Sequence, residues 1–95
     1  METLKDISNL PYCYRIDNLP EISAIYFMVK ENKILYIGQS SNIRKRLSSH
    51  RWIVKNYVPK IHYLEVWDNK NRLELENYYI NKFLPLYNRM IKNIN

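Results

Sequence analysis

Glycine is nearly missing from this chain: Gly38 is the one glycine in 95 residues, where ordinary usage near 7% would place about six or seven. Turns elsewhere fall to Asn, Asp, Ser and Pro, so the single glycine marks a backbone position needing positive φ or the close approach of another group. Cysteine is as scarce. Cys13 stands alone, which excludes an internal disulfide and suits a reducing compartment. Flanked by Tyr12 and Tyr14, it reads as core filler rather than a nucleophile. With two distant histidines, His50 and His62, it does not make a zinc set. No apolar run approaches the roughly 20 residues that span a bilayer. The opening Met1-Glu2-Thr3-Leu4-Lys5-Asp6 lacks the basic start and apolar run of a signal peptide. The expectation is a cytoplasmic protein with no membrane partner.

Acid is missing locally. Between Asn32 and Leu64 there is no Asp or Glu, and all nine acids of the chain lie outside that window. Lys33, Arg44, Lys45, Arg46, Arg51, Lys55 and Lys60 all fall inside it. With a net charge of +6, such a block builds a surface of one sign, whose common partner is a phosphate backbone. Nucleic acid is therefore the expected partner, and Arg44, Lys45, Arg51, Lys55 and Lys60 are candidate contacts to it.

Periodicity organises what remains. Residues 1–22, with Leu10-Pro11 and Leu19-Pro20, read as a short helix and an irregular lead-in packed on the domain. Residues 24–29 are β-branched and aromatic and predict a strand. Lys30 to Lys33 form a polar turn, and Ile34 to Gly38 a second strand, giving an antiparallel hairpin. Ser40-Ser41-Asn42 cap a basic helix from Ile43 to His50. Residues 61–67 predict a third strand, and Asp68 to Asn71 a turn that can cap a helix from Arg72 to Phe83, ended by Pro85. The order β-β-α-β-α gives an α/β (α+β) fold: a small three-stranded antiparallel sheet flanked by helices, with the domain over residues 23–89 and a polar tail over 90–95.

The hairpin carries Tyr26 and Tyr36. A three-residue turn places them directly opposite each other on one face, whereas a four-residue turn separates them. Arg46 and His50, four residues apart, share a face of the basic helix, and an arginine offers a rigid fork of donors suited to phosphate oxygens. Along the last helix, Leu73, Ile80, Phe83 and Leu84 form an apolar stripe at 100° per residue. Glu76 lies roughly 40° from its middle, whereas Glu74 lies about 120° away and faces water. A core-facing carboxylate is costly unless paired or bound to metal. Two readings stand on that geometry: an ion pair to a buried arginine such as Arg46, or a cation site.

Ala24-Ile25-Tyr26, Tyr36-Ile37-Gly38, Arg46, His50, Glu76 and Asn88, in that order and spacing over about residues 24–88, resemble the GIY-YIG nuclease family. The run from Leu35 to Leu47 resembles the family's second strand and first helix. The resemblance implies a divalent cation, Mg²⁺ or Mn²⁺, on Glu76, with Tyr26 or a water activated through it as general base. It implies that Tyr36 orients the water or phosphate and that Arg46 holds the scissile phosphate. It further gives His50 a part in the proton relay, and Gly38 and Asn88 structural support of the site. Ala24 departs from the family by standing where its first motif has glycine.

The activity so implied is metal-dependent hydrolysis of DNA phosphodiester bonds by an endonuclease. The competing reading is a noncatalytic nucleic-acid-binding module, which would gain nothing from Glu76 beside its basic groups. With about twenty lead-in residues and a short tail outside the domain, no separate reader module is expected. Intrinsic sequence specificity should therefore be weak, and selectivity is left to DNA structure, an accessory partner or a homodimer.

Overall fold

A computed structural model describes residues 4–49, 51 and 60–90. The elements are α1 (Leu4–Ser8), β1 (Tyr12–Cys13), a 3₁₀ turn (Ile16–Asn18), β2 (Ala24–Lys30), β3 (Lys33–Ser40), α2 (Ile43–Ser49), β4 (Lys60–Glu65), α3 (Asn69–Phe83) and α4 (Leu86–Met90). The expected strands and helices form, and the class is α+β. The sheet gains a fourth strand, β1, drawn from the lead-in. Tyr12 and Cys13 pair antiparallel with His62 and Ile61, so the sheet order is β1-β4-β2-β3.

β2 is an inner strand, paired on both flanks and buried from Ala24 to Val29. Its two faces feed two cores. Ala24, Tyr26 and Met28 pack with Tyr36, Ile61, Ile16 and Leu19 under Ile43 and Leu47 of α2. Ile25, Phe27 and Val29 pack with Ile37, Ile7 of α1 and Tyr79 of α3. Alternation along one strand thus fills both sides of a sheet with helices on each.

The β2–β3 turn differs from expectation. Lys30 pairs with Lys33, leaving a two-residue turn in which Glu31 and Asn32 have φ of 52° and 60°. Both positive values belong to the type I′ hairpin turn, whose twist matches that of the strands. Alone, this turn would put Tyr26 opposite Ile37 and send the tyrosines to opposite faces. A bulge between Met28 and Val29 corrects it: Val29 pairs with Ile34, but Met28 pairs with Tyr36. Leu35 is the extra residue, and it shifts every later pair by one. Tyr26 then faces Gly38, and Tyr36 sits diagonally beside it on the same face. The bulge also turns Ile34 to the other core, with Ile37.

The helices have local causes. Asn42 caps α2, its Oδ1 accepting from Lys45 N at 3.1 Å. Asp68 caps α3, accepting from Asn71 N at 2.8 Å. α3 ends where Leu84 turns into the left-handed region, φ 46° and ψ 58°, with Pro85 next. Leu73 and Leu84 are exposed, at 48% and 57%. The stripe that meets the sheet is instead Arg72, Leu75, Tyr79, Ile80 and Phe83, a rotation of the expected face that leaves Glu76 half-buried at its flank.

Candidate active site

The site grows from Gly38. Its backbone has negative φ, so conformational freedom is not what the position needs. A Cβ there would lie 2.7 Å from Cε2 of Tyr26 and closer still to its Cζ and hydroxyl oxygen. Only glycine lets the Tyr26 ring lie across β3 at this pair. The ring thereby reaches Tyr36, with centroids 6.2 Å apart and planes tilted by 33°. Both tyrosines are buried.

Arg46 projects from α2 onto the same face and hydrogen-bonds to the Tyr26 hydroxyl. Burial pushes the Tyr26 phenol far above its ordinary value; Tyr36 and Glu76 push the same way, and Arg46 opposes them. Tyr36 is raised by burial first and then by the charge of Glu76, again against Arg46. Glu76 itself is raised by burial, with Arg46 and Arg72 holding it down. Because β3 is the edge of the sheet, no further strand separates α3 from the tyrosine face. Tyr26, Tyr36, Arg46 and Glu76 therefore form one electrostatic group, with Arg72 one turn before Glu76.

Asn88 is joined to this group through the strand. Its Oδ1 accepts from Ile37 N at 2.8 Å, and its Nδ2 donates to Ile37 O at 2.8 Å. The side-chain amide thus acts as one more strand residue on the open edge of β3, between Tyr36 and Gly38.

The remaining basic candidates divide. Arg44 and Lys45 are exposed on α2. Arg51 pairs with Asp17 at 3.1 Å with both side chains well exposed, a contact worth little by itself. Lys60 pairs with Val29 and places its Nζ 4.6 Å from the centre of the Tyr12 ring. That is the face of the sheet opposite the tyrosine pair. His50 and Lys55 lie outside the described residues. Cys13 donates weakly to Arg15 O, and burial raises its thiol, as expected of a packing residue.

Sequence reasoning missed Arg72. It is buried, at 6% exposure, and donates from Nε to Gln39 Oε1 at 2.6 Å, from one terminal nitrogen to Ser23 Oγ at 2.5 Å and from the other to Asn69 Oδ1 at 2.8 Å. The available signal was its place four residues before Glu76 on one helix face. With Gln39, Ser40, Ser41 and Arg46 it lines a polar cleft of about 460 Å³ beside the tyrosines.

The donor set fits a hard cation of low protein-ligand demand. Among the described residues no group of three or more His, Cys, Asp and Glu side chains gathers, which does not suit a site built wholly of protein ligands. Glu76 offers one half-buried carboxylate whose charge is penalised by burial. Mg²⁺ commonly takes one or two carboxylates and keeps several waters.

The hairpin tyrosines, the arginine above them and the inward glutamate define a nuclease-type α+β domain. The chain belongs to the GIY-YIG catalytic domain family, which matches residues 11–90. It is 33% identical over 86 residues to UvrABC system protein C of Fusobacterium nucleatum, covering 80% of this chain and 14% of that protein. With UvrABC system protein C of Borrelia duttonii it is 35% identical over 88 residues, covering 83% and 15%. The chain thus spans a small part of the length of these relatives. In structure it resembles the GIY-YIG N-terminal endonuclease domain of UvrC from Thermotoga maritima bound to its catalytic divalent cation, magnesium. The TM-score is 0.69 at 22% identity, covering 77% of this chain and 90% of that one. Among the described residues, no helix is long and apolar enough to cross a membrane.

Proposed function

We propose that this chain is a divalent-cation-dependent endonuclease that hydrolyses DNA phosphodiester bonds at the Tyr26–Tyr36–Arg46–Glu76 group, and that it works in the cytoplasm. The observation that carries the reading is the half-buried Glu76 carboxylate within electrostatic reach of both tyrosines and of Arg46. A module that only grips phosphate would be weakened by a negative charge at that place.

Glu76 would hold the cation, Mg²⁺ or Mn²⁺. When bound, such an ion polarises phosphoryl oxygens and acidifies its waters. The protein's own residues supply the rest. Arg46 presents a planar fork of donors to the scissile phosphate and offsets the charge that builds on its oxygens. Tyr26, protonated at neutral pH because of its burial, accepts from Arg46 and orients the attacking water through its oxygen. A general-base role requires added positive charge near that oxygen to lower its pKa. Tyr36 closes the other side of the water site. Gly38 and Asn88 hold the strand that presents both rings. Arg44 and Lys45 add sequence-independent backbone contacts, so selectivity falls to DNA structure, a partner protein or a second copy.

The test compares wild type with Glu76→Ala on single-stranded, duplex and branched DNA, with Mg²⁺ or with EDTA. Wild type should cut only with the metal. Glu76→Ala should lose at least about 100-fold, and Tyr26→Phe about 10²–10⁴-fold. Cutting that survives EDTA, or a fully active Glu76→Ala, overturns the mechanism. Binding without cutting on every substrate would favour a noncatalytic module.

A further inference from the structure

We infer that Arg72, with Gln39 and the hydroxyl of Ser41, forms a second phosphate subsite beside Arg46, which takes the phosphate next to the scissile one. The inference rests on the nuclease reading above and names a part of the substrate grip.

Three observations carry it. First, Arg72 is a cation buried to 6% exposure, and a guanidinium cannot shed its charge by deprotonation. Among the described residues its hydrogen-bond partners are three neutral oxygens, those of Gln39, Ser23 and Asn69, and the carboxylate that shares its field is that of Glu76, one turn on. A buried charge whose direct hydrogen-bond partners are all dipoles is costly, and an anion at the cleft would offset that cost.

Second, the fork is held but not exhausted. Of five N–H donors, three are used by those partners, which fix the guanidinium plane without neutralising it. Ser23 is itself tied down, donating to Val66 O at 2.6 Å. Because Gln39 gives its Oε1 to Arg72, its amide NH₂ is left as a donor for the cleft it lines.

Third, the cleft is built of donors. Arg46, Arg72, Gln39, Ser40 and Ser41 line it. Ser40 Oγ is engaged by Asn42, accepting from its N and donating to its carbonyl; Ser41 is exposed. Phosphate oxygens only accept, so the lining complements them. The cleft, about 460 Å³, is open and lined by both arginines. A strand with one phosphate on Arg46 therefore runs its neighbour past Arg72.

Binding to a DNA whose cut position has been mapped tests this, measured in EDTA so that no product forms. A single neutral methylphosphonate is placed in turn at each phosphate around the cut. In wild type, neutralising one adjacent phosphate should weaken binding by roughly 10-fold or more. In Arg72→Met that position-specific penalty should vanish, and the slope of log affinity against log salt should fall by about 1. Arg72→Lys should keep the salt slope and recover part of the penalty. A purely structural Arg72 would weaken all analogues alike and leave the pattern over positions unchanged, which overturns the subsite. If Arg72→Met does not fold, the wild-type walk still decides: no penalty at either neighbouring phosphate overturns the inference. Wild type that cuts DNA but shows no such penalty sinks the subsite alone; wild type that neither binds nor cuts sinks the nuclease reading.

Discussion

Gly38 and Glu76 show how single atoms set this site. Gly38→Ala would drive a methyl group into the Tyr26 ring. Overpacking of this kind costs about 1–3 kcal/mol, and the ring must leave its place over β3. Chemical denaturation should show a loss in that range, together with a drop in DNA cleavage larger than the loss of folded protein explains. Glu76 gives a pH signature. Burial raises its carboxyl above the ordinary value of 4.5, against the pull of Arg46 and Arg72. Ionising it therefore costs more in the native protein than in the unfolded chain. Its contribution favours folding below the ordinary value and is lost as pH rises through the raised one. Glu76→Gln should thus be more stable than wild type at neutral pH without metal, and the advantage should fade below about pH 4. Melting curves across pH check this; a Gln variant less stable at pH 7 would contradict it. Much of this scale was legible. Tyr26, Tyr36, Arg46 and Glu76 were each marked by spacing or by an inward turn of the helix. Arg72 was not, because its burial depends on how α3 is rotated against the sheet. The leucines at 73 and 84 suggest a face that the helix does not use. The bulkier Tyr79 and Phe83 fill the space beside Phe27 instead.

At the scale of elements, strands and helices were readable because β-branched runs and Asx or Ser caps act locally. Register was not. The hairpin turn uses Glu31 at positive φ, where an Asn-Gly or Asp-Gly pair would have announced it, and the bulge carries no glycine. Two irregularities of opposite effect cancel, so the tyrosines meet for a reason different from the three-residue turn that the spacing invites. β1 was hidden as well: two residues after a proline show no alternation, and pairing with β4 alone makes them a strand. The end of α3 offers a direct test. Leu84 holds φ 46°, a left-handed conformation costing roughly 1–2 kcal/mol for a residue with a side chain. It buries little in return. Leu84→Gly should stabilise the domain by about 1 kcal/mol net, raising Tm by about 4–8 °C. An unchanged or lower Tm in a scanning-calorimetry experiment would refute it.

Across the whole molecule, the sheet is a divider: α2 covers the tyrosine face, while α1 and α3 cover the other. The Tyr26, Tyr36, Arg46 and Glu76 group collects at the β3 edge, where the two sides meet. Asn88 closes that edge, 51 residues along the chain from Ile37. Asn88→Ala would leave the Ile37 amide and carbonyl without that partner, at a cost of about 1–3 kcal/mol. Hydrogen exchange at the Ile37 amide should then accelerate well beyond that of Phe27 on the paired strand; equal protection of both in the variant would argue that the clasp is incidental. The clasp also has a bearing on synthesis. Tyr26 and Tyr36 leave the ribosome before Glu76, which follows dozens of residues later, and the amide that seats β3 comes after that. A partly made chain can present its basic α2 before Glu76 joins Tyr26, Tyr36 and Arg46. In order of synthesis, the proposed site is therefore complete only once Glu76 has emerged, and its strand is clasped only once Asn88 has followed.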